Sequence, residues 1–408
     1  MKGTTIRTGS ACYLTALGLV NALGRGKAEV AARLFAGDTS GLVLEEGWLP
    51  QRAARVGAVA SELPRVPSAW AHDDSRNHRL LLAALEEIRV EVDAAIDRYG
   101  RDRIGVILGT STSGIAEGEK AVEYRATHGA WPDGYHYRQQ EIGRVAPFLA
   151  EYLGLHGPAL TVSTACTASG RALASARNFL AAGLCDAVIV GGVDSLCRLT
   201  VGGFTALEST SDALMNPMSR NRRGINVGEG AALFVVSRDA PEGVAIALMG
   251  IGESSDAHHI SAPDPTASGA IAAMRQALAD AHTTPIEVAY VNLHATATPK
   301  NDEMESRAMA EVFSGGVACS GTKPLTGHTL GAAAATELAF CWLSLNDQWN
   351  PQRRVPPHRW DFERDPALPA LRLAGDDDRL PARTLQRVMS NSFAFGGSNI
   401  SVILGVAS

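Results

Sequence analysis

The chain has 408 residues, of which 46% are apolar and 20% are charged, a composition typical of a globular protein. Its net charge of −6 argues against a generic nucleic-acid-binding protein. No apolar run reaches the roughly 20 residues that a membrane-spanning helix needs. We therefore expect neither a nucleic-acid partner nor a membrane partner. The length is sufficient for two domains or for one large fused core.

The N-terminal segment and the cysteines bear on the cellular compartment. Residues 11–23 are apolar but interrupted by Gly18 and Asn21, so we interpret them as a first strand and turn rather than an export signal. The six cysteines have no CxxC or other metal-ligand spacing, and the sequence predicts no metal site. These features predict a cytoplasmic protein with reduced thiols.

Strand-like and helix-like segments alternate along the chain. The predicted strands are 103–108, 159–163, 187–191, 231–237, 244–251, 288–293, 387–390 and 400–404. The predicted helices are 75–99, 168–182, 267–281, 302–313 and 330–345. Strands separated by helices imply parallel sheets with helices on both faces. The pattern occurs twice and predicts two similar halves, residues 1–242 and 243–408, with residues 346–381 as a surface excursion.

Cys166 is the most informative residue, because it stands between the apolar segment 158–163 and a predicted helix. A thiol at such a corner lies at the positive end of the helix dipole, beside unpaired backbone N–H groups. This position favours the thiolate and offers donors to an oxyanion. A lone buried cysteine is nevertheless more often a core residue than a nucleophile.

Four further clusters contain residue types that are used in catalysis, although each is a weak signal alone. They are His294 with Thr296 and Thr298 after a predicted strand; Lys323 and His328 before a helix that carries Glu337; Phe393 and Phe395 in the loop 391–399; and Arg220, Arg222 and Arg223 in the segment 212–230. The end of a strand, where His294 stands, is where open α/β sheets bind ligands.

Taken together and in this order, the motifs resemble those of the β-ketoacyl-acyl-carrier-protein synthases, the elongating condensing enzymes of type I/II. They are a Cys corner, a His-x-Thr-x-Thr-Pro loop, a Lys-x4-His segment and an Asn-Ser-Phe-x-Phe-Gly-Gly loop. The resemblance covers nearly the whole chain. It implies an α/β thiolase fold, with two similar βαβαβ-type halves in a five-layered αβαβα arrangement, and a dimer.

The resemblance also implies roles for the matching residues. Cys166 would accept the acyl group, and His294 and His328 would polarise the malonyl thioester carbonyl and support its decarboxylation. Lys323 would hold the charge network of the site, with Glu337 as its ionic partner. The implied reaction elongates a fatty-acid, polyketide or aryl-polyene chain and needs no bound metal or redox cofactor.

The same resemblance implies how the substrates bind, since they arrive on the phosphopantetheine of an acyl carrier protein. Thr296 and Thr298 would hydrogen-bond that arm. Phe395 would gate the site, in the same loop as Phe393, and its backbone N–H would join that of Cys166 in an oxyanion hole. The three arginines of the segment 212–230 would aid docking of the acidic carrier, or form an internal salt bridge such as Arg222 with Glu229.

The sequence departs from the family pattern at several positions. Ala295, Ala297 and Ala394 stand where glycine is usual, which removes room and backbone freedom. Thr112 stands where the family commonly has an isoleucine in the acyl pocket, and a smaller, more polar side chain predicts an unusual acyl group. These departures favour a secondary-metabolic synthase, for example one of an aryl-polyene pathway.

Two alternatives to an elongating synthase remain at this point. One is a non-catalytic, chain-length-factor-like partner subunit of a ketosynthase heterodimer, although such partners lack the nucleophile. The other is a thiolase or an initiating synthase that uses coenzyme A, but a thiolase would have a second cysteine where Phe393–Gly397 stands. The sequence leaves open whether the dimer is a homodimer or a heterodimer.

Overall fold

The computed structural model describes residues 12–381 and 386–407 of the chain. The strands are β1 Tyr13–Asn21, β2 Gly24–Arg25, β3 Leu42–Leu49, β4 Arg52–Gly57, β5 Ile104–Gly109, β6 Ala159–Val162, β7 Ala187–Asp194, β8 Val227–Gly228, β9 Gly230–Ser237, β10 Ile246–Ser255, β11 Val288–Leu293, β12 Ala318–Gly321, β13 Arg372–Leu373, β14 Arg387–Phe393 and β15 Ser398–Val406. The predicted first strand is confirmed by β1, while Ala11 and the residues before it lie outside the described part of the chain.

The α-helices alternate with these strands, as the sequence predicted. They are α1 Lys27–Ala36, α2 Arg76–Glu86, α3 Arg89–Tyr99, α4 Ile115–His128, α5 Val145–Leu153, α6 Ala168–Ala181, α7 Arg198–Ala206, α8 Ser268–Asp280, α9 Pro299–Val312, α10 Lys323–Thr326 and α11 Ala333–Leu345. None of the described helices is both long and apolar enough to cross a membrane.

The main sheet network has the same strand pattern in both parts of the chain. In the first part, β6, β5 and β7 are parallel neighbours, and β9 and β1 follow as antiparallel strands. In the second part, β12, β11 and β14 are parallel, and β15 and β10 follow as antiparallel strands. The parts join where Tyr13 of β1 pairs with Ala247 of β10. The predicted boundary at residue 242 falls between β9 and β10 and stays a prediction.

Helices cover both parts and also fill the space between them. Helices α6 and α11 pack against each other, with α6 against β5 and β7 and α11 against β14 and β9. Helices α2 and α5 cover the outer face of the first part, and α8 and α9 cover that of the second. The result is the five-layered αβαβα arrangement of the thiolase fold that the resemblance implied.

Burial explains why these segments fold in this way. Strands β5, β7 and β9 are buried at every position, as expected of strands that are covered on both faces. Helix α11 is buried along its whole length, because it lies in the central layer. Cys166 and His328 stand just before α6 and α11, the two helices of this central layer.

Two predictions about the elements were wrong. The segment 75–99 is not one helix, because the fully buried Ile88 leaves helical geometry at φ −129° and ψ 16° and separates α2 from α3. No glycine or proline marks this break in the sequence. The sheets are also not purely parallel, since β9, β1, β15 and β10 run antiparallel to their neighbours.

Candidate active site

Cys166 lies in a tight corner between β6 and α6. The preceding residue, Ala165, has a left-handed backbone with φ 52°, which turns the chain sharply before the helix begins at Ala168. The Cys166 side chain is buried, with 5% of its surface exposed. The backbone N–H groups of Phe395 and of Cys166 itself face the sulfur, so the two donors expected of an oxyanion hole lie together.

The thiolate that the position of Cys166 predicted is not favoured in the free protein. Burial raises the pKa of the Cys166 thiol to about 11, against the lowering effects of the Lys323 charge and the two backbone N–H groups. The helix end alone predicts a lowered pKa, but desolvation of the buried thiol has the larger effect. Cys166 is therefore a neutral thiol in the free protein at neutral pH.

His328 lies beside the thiol and is held in one tautomer. Its Nε2 is 3.0 Å from Cys166 Sγ, and its Nδ1 accepts a hydrogen bond from the Leu330 N–H at 3.2 Å. An Nδ1 that accepts leaves the single proton of a neutral ring on Nε2. Burial and the Lys323 charge lower the pKa of His328 well below its ordinary value. The ring is thus a neutral donor aimed at the sulfur and at the space next to it.

The His294 ring lies edge-to-face beside that of His328, with their ring centroids 5.4 Å apart. Its Nδ1 lies 3.2 Å from Nζ of Lys323, an obligatory donor, so the proton of this ring also lies on Nε2. Burial, with the Lys323 charge, lowers the pKa of His294 well below the ordinary value. The Nε2 of His294 is buried and has no hydrogen-bond partner, so it is available to a substrate.

Lys323 is a fully buried cation with three acceptors. Its Nζ contacts Oε1 of Glu337 at 2.6 Å and the carbonyl oxygen of His294 at 2.5 Å, in addition to the His294 ring. The predicted pairing of Lys323 with Glu337 is thus present in the geometry. Burial raises the pKa of Glu337 to about 7, although the Lys323 charge opposes this.

The loop that carries His294 has a strained backbone. Ala295 and Ala297 have φ values of 41° and 60°, in the left-handed region where glycine is usual. Two buried carboxylates of α9 hold the loop. Glu305 accepts hydrogen bonds from the N–H groups of His294 and Ala295, both at 2.7 Å, and Asp302 accepts one from Ala297 at 3.1 Å. These hydrogen bonds therefore hold Ala295 and Ala297 in the left-handed conformation.

Sequence reasoning missed the role of Glu305. The acidic residues 302 and 305 lie three positions apart on one face of α9, and both are fully buried. Burial raises the pKa of Asp302 to about 6 and that of Glu305 to about 8. The signal that could have revealed these two carboxyl groups was the presence of two acids on the apolar face of an amphipathic helix.

The candidate residues surround one narrow cavity. Its lining residues are Cys166, Phe204, Ser209, Ile225, His294, Thr296, Thr298, Asn301, His328, Phe393 and Phe395. Phe204 of α7 was not predicted, and no motif marks it in the sequence. The centroid of its ring lies 5.7 Å from that of Phe395, so two aromatic rings meet in the lining of the cavity. The backbone of Ala394 is not left-handed, so this position, unlike those of Ala295 and Ala297, does not favour a glycine.

Thr112 does not line this cavity. Its hydroxyl and its N–H both contact Oδ1 of Asp194 at 2.8 Å, and its hydroxyl accepts a hydrogen bond from the Ser195 N–H. The residue is fully buried. Its hydroxyl group therefore stabilises the protein interior rather than the wall of the cavity around Cys166. The sequence could not reveal this contact, because Asp194 is distant in the chain.

The three arginines differ from one another. Arg222 is partly buried and pairs with Asp365 at 2.6 Å, while Glu229 pairs with Arg76, so the suggested Arg222–Glu229 salt bridge was wrong. Arg220 is exposed and pairs with Glu363 at 3.2 Å. Arg223 is exposed and has no partner among the described residues.

The excursion 346–381 is not a bare surface feature, because it supplies Asp365 and the buried His358. The ring of His358 accepts a hydrogen bond from the Gly321 N–H and donates one to the Pro217 carbonyl, both at 3.0 Å. The excursion therefore supports both the arginine segment and the start of the segment that carries Lys323.

The thiol and the two imidazoles have a spacing that a metal ion could bridge, with ligand atoms within 4.8 Å of one another. A metal-bound histidine normally donates its second ring N–H to an acceptor. Here the second nitrogen of each ring accepts a hydrogen bond, from Lys323 or Leu330, so Nε2 carries the proton. The donor arrangement opposes a metal ion and suits an oxygen anion.

Comparison with known proteins agrees with this geometry. Residues 52–241 match the N-terminal domain of β-ketoacyl synthases, and residues 246–354 match the C-terminal domain. The 3-oxoacyl-[acyl-carrier-protein] synthase 2 of Coxiella burnetii is 31% identical over 334 residues, which are 76% of this chain and 77% of that protein.

Solved structures extend the similarity to the whole chain. A chain of the complex between the ketosynthase ApeO and its chain length factor ApeC, from Xenorhabdus doucetiae, is 45% identical, with a TM-score of 0.91 and full coverage of both chains. A chain of the ishigamide ketosynthase/chain length factor is 26% identical, with a TM-score of 0.83 and coverage of 98% and 99%. The chain therefore belongs to the β-ketoacyl synthase family, whose members are acyl-transferring condensing enzymes with the thiolase fold.

Proposed function

We propose that the protein is a catalytically active β-ketoacyl-acyl-carrier-protein synthase, which extends an acyl group held on Cys166 with two carbons from malonyl-acyl carrier protein. The observation that carries this proposal is the pair of neutral imidazoles with Nε2–H groups at the thiol, one of which has no partner. A non-catalytic partner subunit has no need of these donors.

The first step transfers the acyl group. Cys166 Sγ attacks the thioester carbonyl, a new C–S bond forms, and the bond to the carrier sulfur breaks. The thiol proton leaves with the carrier as its free thiol. The N–H groups of Cys166 and Phe395 stabilise the tetrahedral oxyanion, which is the largest electrostatic contribution in such reactions. The Nε2 of His328 lies 3.0 Å from the sulfur, so this ring borders the place where the malonyl group binds next.

The second step generates the carbon nucleophile. The malonyl thioester oxygen accepts hydrogen bonds from Nε2 of His294 and Nε2 of His328. Loss of CO2 places negative charge on that oxygen, and preformed donors in a buried site stabilise this charge. Both rings remain neutral donors because burial and Lys323 keep their pKa values low.

The third step forms the carbon–carbon bond. The enolate carbon attacks the acyl-Cys166 carbonyl, the C–S bond breaks, and the Cys166 thiolate takes up one proton from solvent. Splitting the transfer into two steps through a covalent intermediate is what the nucleophile contributes. The malonyl group and the product remain attached to phosphopantetheine, for which Thr296 and Thr298 at the cavity wall supply hydroxyl groups. No metal or redox cofactor takes part.

We propose an acyl carrier protein and a ketosynthase-like subunit as partners. The similarity to ketosynthase and chain-length-factor complexes supports a heterodimer. Arg220 and Arg223 are the candidates for carrier docking, because their side chains are exposed, whereas Arg222 is committed to Asp365. An aryl or polyene acyl chain remains our hypothesis for the substrate.

Intact-protein mass spectrometry tests the proposal. The protein is mixed with acyl-carrier thioesters that bear short saturated, long saturated, polyunsaturated or aryl chains. We expect an acyl mass on the wild type, no adduct on Cys166→Ala, and an unchanged adduct on Cys185→Ala, a matched buried cysteine far from the cavity. We also expect Cys166→Gln to decarboxylate malonyl-carrier without condensation.

Each other outcome is informative. Condensation by Cys166→Ala would contradict the covalent mechanism. A folded wild type that forms no adduct with any donor, alone or with a chain-length-factor partner, would favour the non-catalytic subunit. An adduct confined to one class of donor would identify the acyl substrate.

A further inference from the structure

Asp194, at the end of β7, is a fully buried carboxylate outside the cavity. Its oxygens accept hydrogen bonds from the Thr110 hydroxyl at 2.7 Å, the Ser111 N–H at 2.8 Å, and the N–H and hydroxyl of Thr112, both at 2.8 Å. Its Oδ2 also accepts one from the Ala332 N–H at 3.2 Å. Burial raises the pKa of Asp194, and the hydrogen bonds from Thr110, Ser111 and Thr112 oppose this by stabilising the ionised carboxylate.

These donors belong to two separate segments, 110–113 and 330–332. Each contains a non-glycine residue with a left-handed backbone, Ser113 at φ 45° and Leu330 at φ 52°. Such residues are strained and persist where surrounding contacts hold them. Asp194 provides those contacts, because its carboxylate lies between the two segments.

The segments touch at Gly331. A methyl group added there would lie 2.7 Å from the Ser111 nitrogen and 2.8 Å from Oδ2 of Asp194. There is therefore no space for the segment 330–332 to approach more closely, and the hydrogen bond from the Ala332 N–H to Asp194, which the Thr329 carbonyl shares, opposes its moving away. The position of the Leu330 N–H is fixed from both sides.

The Leu330 N–H is the group that holds Nδ1 of His328. We propose that Asp194 is a positioning residue for decarboxylation: it holds the segment 330–332 in place, so that the Leu330 N–H keeps the His328 proton on Nε2. This inference rests on the proposed function.

A purely structural role predicts a different result. In that case Asp194→Asn would lower stability and reduce every step in proportion, without changing the His328 tautomer. A positioning role predicts a selective effect, because acyl transfer also uses the N–H groups of Cys166 and Phe395, whereas decarboxylation depends on His328 and His294. The tautomer itself is a readout that general destabilisation does not move.

The experiment compares the full-length wild type with Asp194→Asn, with and without Cys166→Gln. The 15N resonances of labelled histidine, assigned with His328→Asn, report the tautomer. We expect the single Nε2–H pattern of His328 to be lost in Asp194→Asn. We expect malonyl-carrier decarboxylation to fall about tenfold or more, and formation of acyl-Cys166 to change by less than about threefold.

Asp73→Asn is the matched control, because Asp73 is an equally buried carboxylate of the same half that pairs with Arg144 away from the cavity. It is expected to lower stability without a selective loss of decarboxylation. If Asp194→Asn does not fold, Gly331→Ala pushes the two segments apart with Asp194 intact, and the same two changes are expected.

An unchanged His328 tautomer with decarboxylation within about twofold of the parent overturns the inference. A proportional loss of both steps overturns it as well. If the Cys166→Gln parent does not decarboxylate malonyl-carrier at all, the proposed function fails, while the tautomer measurement still decides whether Asp194 positions His328.

Discussion

The loops that carry His294 and His328 reach the same proton arrangement by different means. Both rings present an Nε2–H group to the cavity and use Nδ1 as an acceptor. At His294 the donor to Nδ1 is the ammonium group of Lys323, whereas at His328 it is the backbone N–H of Leu330. The first arrangement depends on a side chain that one substitution removes, and the second depends on backbone geometry.

The two loops also differ in what offsets their backbone strain. Ala295 and Ala297 are anchored by hydrogen bonds to buried carboxylates and have only a methyl group with which to pack. Leu330 packs its side chain into an apolar cluster with Val56 and Val227. The His294 loop is therefore held by polar contacts, and the His328 loop by packing and backbone contacts. Substitutions should therefore affect the two rings separately.

The largest effect is expected from Lys323→Met. The substitution removes the donor to His294 Nδ1, so the Nε2–H group is no longer fixed, and loss of one such donor costs about 10²–10³-fold in rate. It also leaves Glu337 without a partner in the interior, which costs about 3–5 kcal/mol of stability. Decarboxylation in the Cys166→Gln background and thermal unfolding measure the two effects.

A double variant separates these two consequences. Lys323→Met with Glu337→Gln removes the unpaired charge, so we expect stability to recover in part while decarboxylation stays low. The 15N pattern of His328 should be unchanged in both variants, because its donor is the Leu330 backbone. A change at His328 equal to that at His294 would show that the two rings are not held independently.

The parts of the site that the sequence predicted are those that short motifs carry. Cys166, His294, Lys323 and His328 each stand in a local pattern of glycines, threonines and small residues, and the structure brings all four together. The fold followed from the alternation of strand-like and helix-like segments. Both kinds of signal are local, so they need no knowledge of distant contacts.

The incorrect predictions concern contacts between residues far apart in the chain. Arg222 is bound by Asp365 rather than by Glu229, which itself pairs with Arg76. The thiol pKa was predicted in the wrong direction, because burial of Cys166 arises from packing of both halves around it. Partner choice and desolvation are properties of the assembled core, which a single sequence does not display.

A smaller effect on stability is expected from His358. Its ring accepts a hydrogen bond from the Gly321 N–H and so supports the segment that carries Lys323. Burial lowers the pKa of His358 from 6.5 to about 4. Below pH 6.5 the unfolded chain binds a proton that the folded protein does not, so stability falls as the pH decreases towards 4. This contribution amounts to about 3 kcal/mol, and denaturant unfolding at several pH values measures it.

His358→Gln should remove this part of the pH dependence and should also reduce decarboxylation at pH 7.5, because Gly321 precedes Lys323. His78→Gln is the matched control, since burial likewise lowers the pKa of His78 to about 4 but the residue lies far from the cavity. The control should flatten the pH dependence of stability and leave decarboxylation unchanged. An unflattened profile in His358→Gln would contradict the assigned pKa.

The smallest effect is expected from Ala297→Gly. A left-handed backbone costs an alanine about 1 kcal/mol, and glycine relieves that cost while adding freedom to the unfolded chain, so we expect stability to rise by at most about 1 kcal/mol. Ala273→Gly, at a buried position in α8, should instead lower stability by about 1 kcal/mol or more. Chemical denaturation of both variants is the measurement. If Ala297→Gly destabilises as much as Ala273→Gly, the His294 loop stores no strain, and the two loops differ only in the donors that hold their rings.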